Sequence, residues 1–119
     1  MERNWDIIRL LLMQIEKSSP EIESNLSKYD EENIKYNAKL LIESGYMEGK
    51  LIKTLGQYES GVATVMMQNL TMEGHDLLDS MRKPQIWEKM KETAMNKGID
   101  ITLDTVKMLF SFVTQSLLS

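Results

Sequence analysis

At Gly45 the spacing of apolar residues changes from steps of three and four to the alternation of strands, and this one change decides which architectures the chain can adopt. Three helical segments precede it. From Asn4 to Lys17 the residues Trp5, Ile8, Leu11, Leu12 and Ile15 recur along one stripe, with Asn4 placed as N-cap. Leu10 and Met13 fall off that stripe, so a helix apolar around so much of its circumference is expected to be covered from more than one side. Ser19-Pro20-Glu21 then starts a second helix. It offers a hydroxyl cap, a proline where no N–H is needed, and an acid near the positive end of the helix dipole. This helix is short, contributes Ile22 and Leu26, and is expected to end near Lys28. Asp30 is the expected cap of a third helix, with Glu31 and Glu32 in its first turn, Ile34, Ala38, Leu41 and Ile42 inward, and Gly45 as its left-handed stop.

Beyond Gly45, Tyr46 to Leu55 and Val62 to Leu70 are rich in β-branched, aromatic and long apolar residues, and Gly56 and Gly61 bound the stretch between them. A β-hairpin with a glycine-bounded tip is the simplest expectation. Helix returns at Thr71, the natural N-cap, with Leu77, Leu78 and Met81 on its apolar face. Pro84 restarts it through Ile86, Trp87 and Met90 to a stop at Gly98. A last helix runs from about Thr102, with Leu103, Val106, Leu109, Phe110, Val113 and Leu117 on one broad face and Met108 and Phe112 pointing elsewhere. It carries no charge from Met108 onward.

Helix, short helix, longer helix, hairpin and helix is the order of a winged helix-turn-helix domain. The fold expected is therefore mainly α with a small antiparallel hairpin. Residues 1–83 would form the winged helix-turn-helix, and residues 84–119 two C-terminal helices packed on it as a single structural unit. The 119 residues suit one modest core. No cysteine is present, which removes disulfides, thiolate nucleophiles and cysteine-held zinc, and His75 is the lone histidine. The run Leu10 to Met13 is too short for a signal core or a membrane span, so a soluble, cytoplasmic protein without membrane contact is expected.

Leu70-Thr71, Glu73-Gly74-His75-Asp76, Leu78-Asp79, Arg82, Trp87, Lys89 and Lys91, together with Asp6-Ile7-Ile8-Arg9 and Ile15-Glu16, form a pattern over nearly the whole chain. It resembles a family of phage and bacterial proteins catalogued only as a domain of unknown function. The resemblance implies a winged-helix fold and a phage or prophage origin. It brings no activity, cofactor or catalytic residue to transfer.

The third helix is the candidate reader of DNA, with Glu32, Lys35, Tyr36, Lys39 and Glu43 expected on its exposed face and Asn33 near the end that approaches base edges. Asn33, Lys35, Tyr36 and Lys39 would address the groove of double-stranded DNA, while Lys50 and Lys53 on the wing would hold phosphates. Glu31 and Glu32 oppose this role unless they turn away or meet a cytosine amino group. The plain alternative is a solvated mixed-charge face. On the wing, Lys50, Lys53, Gln57 and Tyr58 are balanced by Glu48 and Glu59, giving little electrostatic grip. The net charge of −4 is mild.

His75 lacks a nucleophile, oxyanion loop or second histidine, and a structural role is expected for it. The pairs Glu31 with Glu32 and Asp76 with Asp79 have spacings common in capped helices, and neither phosphate-loop nor dinucleotide glycine pattern occurs. The chain is therefore expected to be no enzyme and to need no metal or cofactor. Ten methionines serve mainly as core filler. Met108 and Phe112 would stand exposed in a monomer, which makes them the candidate interface of a homodimer. DNA binding in transcriptional regulation is the first functional expectation. The second is a protein-interaction module that keeps the winged fold without DNA and acts on a host protein partner.

Overall fold

The computed structural model describes residues 1–53 and 58–118 and is mainly helical, with one antiparallel hairpin. The elements are α1 (Trp5–Glu16), α2 (Pro20–Leu26), α3 (Glu31–Glu43), β1 (Met47–Ile52), β2 (Thr64–Leu70), α4 (Met72–Asp79), α5 (Pro84–Lys97) and α6 (Leu103–Leu118). Leu55, Gly56 and Gln57, assigned to the end of a strand and the hairpin tip from sequence, lie outside the described residues. Backbone contacts divide the chain into two compact units, Met1–Leu77 and Leu78–Ser119.

In the first unit the caps follow the local chemistry. Asn4 Oδ1 accepts from the N–H groups of Asp6 and Ile7 at 3.0 and 3.1 Å, closing the start of α1. Ser19 Oγ accepts from Ile22 at 3.2 Å, and Pro20 opens α2, which ends at Leu26, two residues before the expected Lys28. Asp30 stands at the N-cap of α3, but its side chain makes no cap hydrogen bond. Gly45, with φ of 81°, supplies the left-handed stop. α1 is buried at Ile7, Ile8, Leu10, Leu11 and Leu12, so of the two residues off the stripe Leu10 is covered and Met13 is half-buried. Trp5 and Ile15 are only half-buried.

α1 packs on α2, α3 and β2, and α3 packs on both strands. Met47 pairs with Leu70 and Ile52 with Thr64, and a bulge falls between Glu48 and Gly49. Ala38, Leu41, Met47, Val62 and Leu70 continue the core from α3 into the hairpin. Thr71 then fastens the start of α4. Its hydroxyl donates to the Gly45 carbonyl at 2.6 Å and accepts from Gly74 N–H at 3.1 Å. A Cβ on Gly74 would overlap the Tyr46 carbonyl oxygen, so the helix comes this close only because that residue has no side chain.

In the second unit α5 packs on α6. Trp87, Met90, Thr93 and Ala94 are the buried residues of α5, which stops at left-handed Gly98. Thr102 and Thr105 cap α6 reciprocally: Thr105 N–H donates to Thr102 Oγ1 at 3.2 Å, and Thr102 N–H to Thr105 Oγ1 at 2.7 Å. The buried part of α6 is narrower than the sequence pattern implies. Val106, Leu109 and Val113 are buried, whereas Leu103 and Leu117, in the first and last turns, are exposed.

Candidate functional site

The face of α3 that the sequence presents as a DNA reader is turned partly inward. Lys35, one turn after Glu32, forms an ion pair with the Glu32 carboxylate. Its ammonium donates to the Ala63 carbonyl at 3.3 Å and stands 4.6 Å from the centre of the Tyr58 ring. Only 13% of the Lys35 side chain is exposed, which corrects the expectation of a solvated lysine there. Lys39, a turn further on, donates to the Ser60 carbonyl at 3.5 Å.

Glu32 is the centre of this cluster. Its Oε1 accepts from the Ser60 backbone N–H at 3.2 Å and from Ser60 Oγ at 3.0 Å, while Oε2 faces Lys35. The Lys35 ammonium is the main cause of a Glu32 pKa below the ordinary carboxylate value, and the two Ser60 donors act in the same direction against the effect of burial. Lys35 in turn is raised above the ordinary lysine value, first by its bond to Glu32. Glu32 is thus committed to Ser60 and Lys35, whereas its neighbour Glu31 is exposed.

The other residues assigned to DNA contact are scattered. Asn33 and Tyr36 are half-buried on α3, and the Asn33 carbonyl accepts from Asn37 Nδ2 at 2.8 Å. Lys50 and Lys53 are exposed on and just beyond β1, with the Lys53 ammonium 3.9 Å from Glu43. The structure therefore gathers Lys35 and Lys39 with Glu32, Tyr58 and Ser60, and leaves Asn33, Tyr36, Lys50 and Lys53 outside the cluster. Between α3 and β2 lies an open groove of about 260 Å³, with Glu31, Ile34, Lys35, Ala38, Thr64 and Met67 among its walls.

Ser60 and Asn37 were not foreseen from the sequence. Ser60 is 1% exposed although it sits in the connection between the strands, and Asn37 is fully buried in α3. Ser60 lies on no apolar stripe, and Asn37, although spaced with Ile34 and Leu41 on the inward stripe of α3, is a polar residue that does not mark itself as interior. The one local sign is Gly61, whose φ of 82° turns the chain directly after Ser60.

His75 Nδ1 stands 3.7 Å from Glu16 Oε2, joining the first turn of α4 to the end of α1. Among the described residues no group of three or more His, Cys, Asp or Glu side chains could hold a metal ion. Also among them, no helix is long and apolar enough to cross a membrane.

In the second unit Met108 and Phe112 are 52% and 48% exposed. They border a hollow of about 180 Å³ shared with Thr93 and Lys97, and the Lys97 ammonium lies 4.9 Å from the centre of the Phe112 ring. Phe112 is therefore exposed, but one face carries a cation.

Residues 2–100 match the model of a family described as "Hypothetical protein (DUF2513)". An uncharacterized protein of Haemophilus influenzae is 29% identical over 123 residues, with both chains covered in full. No solved structure matches the chain.

Proposed function

This chain belongs to the family of hypothetical proteins DUF2513, and we propose that it is a non-enzymatic protein-interaction module built on the winged-helix order of elements. The observation that carries this reading is the position of Lys35. A helix that reads DNA needs its cations available to phosphate, and here the ammonium is compensated by Glu32, bonded to Ala63 and covered by Tyr58. The positive end of the α3 dipole is occupied by the exposed Asp30 and Glu31, which repel phosphate where a reading helix usually approaches it. Ser60, whose hydroxyl lies beside a carboxylate, is too deeply buried to meet a substrate. The partner-facing surface is the outward side of α6, where Met108 and Phe112 stand exposed, and its first partner is a second copy of the chain.

A second reading is favoured by one observation. Lys50 and Lys53 are exposed on the hairpin, which in the winged-helix order is the element that lies along a phosphate backbone. Titration of the full chain into a fluorescent mixed-sequence duplex at low and near-physiological salt separates the two. The interaction reading expects no saturable binding. Salt-sensitive binding that disappears in a Lys50→Glu, Lys53→Glu double variant replaces it with the DNA reading.

A further inference from the structure

We propose that residues 58–61 form a releasable strap, which in the closed form withholds Lys35 and Lys39 from the phosphates of duplex DNA and when lifted returns both to the surface of α3. This goes beyond the interaction reading, which concerns the closed form. Three observations carry it.

The strap is held over α3 chiefly by one carboxylate. Glu32 Oε1 takes both the backbone N–H and the hydroxyl of Ser60, and its other oxygen takes Lys35, so a single side chain both anchors the loop and neutralises the cation beneath it. The remaining ties to α3 are weaker, the 3.5 Å contact from Lys39 to the Ser60 carbonyl and the stacking of Lys35 on a Tyr58 ring that is itself 44% exposed, and across Gly61 the Ser60 hydroxyl also reaches the Val62 carbonyl at 3.1 Å.

The strap also has a fixed end next to a turning point. Val62 is fully buried and anchors the chain as it approaches β2, while left-handed Gly61 separates it from Ser60. Rotation at Gly61 frees Ser60 and Tyr58 without extracting Val62.

Finally, Lys35 and Lys39 are four residues apart on one stripe of α3, the element that approaches the groove in the winged-helix order. Lifting the strap removes from Lys35 its aromatic cover and from Lys39 its carbonyl partner, while the bonds of Lys35 to Glu32 and to the Ala63 carbonyl, which lie outside the strap, remain. Phosphates therefore bind the open form better than the closed one, which is the difference in affinity that a shift between two states requires.

The experiment uses the full chain, a labelled mixed-sequence duplex and five variants. Glu32→Gln and Ser60→Ala loosen the strap. Glu31→Gln makes the same charge change on an exposed neighbour outside the clasp. Lys35→Glu with Lys39→Glu is added to each strap variant. Amide exchange at Ser60 reports whether the strap is open. The expected result is loss of Ser60 protection and gain of duplex binding in Glu32→Gln and Ser60→Ala but not in Glu31→Gln. The two added phosphate contacts should steepen the dependence of log affinity on log salt by about 1.8, and the double lysine reversal should abolish the gain. An opened strap without binding overturns the proposal. So does retained Ser60 protection in both strap variants, since Glu32 and the Ser60 hydroxyl would then not be what holds it. Equal gains in Glu31→Gln and Glu32→Gln reduce the effect to net charge and overturn it too. Failure here leaves the interaction reading intact, because that reading is tested on the unaltered chain.

Discussion

Asn37, fully buried in α3, accepts the backbone N–H of Asn4 on its Oδ1 at 2.7 Å, and Asn4 in turn caps α1. The Asn37 amide also donates to the Asn33 carbonyl at 2.8 Å, so both ends of one polar side chain are satisfied inside the first unit. Asn37→Ala leaves the Asn4 N–H without its acceptor in a place where water is scarce. A loss of about 1–3 kcal/mol is expected, measured by urea unfolding. Asn4→Ala removes only the cap and should cost about 0.5–2 kcal/mol. An Asn37→Ala chain as stable as the parent would show that the link between α3 and α1 contributes nothing.

Gly74 gives a prediction whose sign is opposite to the usual one. Inside a helix, replacing glycine by alanine normally stabilises by about 1 kcal/mol. At position 74 the added Cβ would overlap the Tyr46 carbonyl oxygen, which is backbone and has little room to move. Gly74→Ala should therefore destabilise, by about 1–3 kcal/mol as for other overpacked sites, and its melting temperature should fall below that of the parent. A rise would mean that α4 does not approach the turn at Tyr46 so closely.

The clasp on α3 has a defined pH dependence. Glu32 is held below its ordinary pKa, first by Lys35, so its contribution is complete above the carboxylate value of the unfolded chain and is lost as pH falls through the lower folded value. Lys35 is held above its ordinary value, first by Glu32, so its contribution is present below the lysine value of the unfolded chain and is lost as pH rises through the higher folded one. Between these limits the strap is insensitive to pH. Amide exchange at Ser60, corrected for the intrinsic pH dependence of exchange, should show steady protection through neutrality and loss only in acid or strong alkali. In Glu32→Gln the acid limb should vanish.

The parts of this fold that were legible in the sequence are those set by chemistry within a few residues. Ser19 with Pro20, Thr71, Gly45 and Gly98 mark helix ends through caps and left-handed stops, and each acts there in the structure. The hairpin was legible because strand residues alternate on either side of a glycine-bounded stretch. What was not legible depends on distant chain. The direction of Lys35 is set by Glu32 and by the Ala63 carbonyl, and Ala63 lies 28 residues from Lys35 in sequence. No periodic pattern records such a return contact. Asn37 was hidden for a related reason: a polar residue breaks an apolar stripe, and only its partner near the chain start explains its burial. At Leu103 and Leu117 the pattern overreached, because helical spacing continues into terminal turns where burial does not.

The outward side of α6 sets the strength of self-association. Met108 and Phe112 are each about half exposed, so pairing two copies removes the remaining half of four large apolar side chains from water. At about 1.5–3 kcal/mol for a whole side chain, the four halves together contribute about 3–6 kcal/mol. Association itself costs at least about 4 kcal/mol in lost translational and rotational freedom. These two side chains alone therefore give a weak dimer, and a millimolar or tighter constant requires Leu118, which is 88% exposed, or the Lys97 side chain over Phe112 to join the contact. Sedimentation equilibrium up to about 1 mM, the concentration at which an association free energy near −4 kcal/mol becomes visible, should show a shift in mass with concentration. Phe112→Glu should remain a monomer throughout, since two like charges would face each other across a symmetric contact. A parent that stays monomeric over this range removes the second copy as partner of α6 and leaves the surface to a different protein.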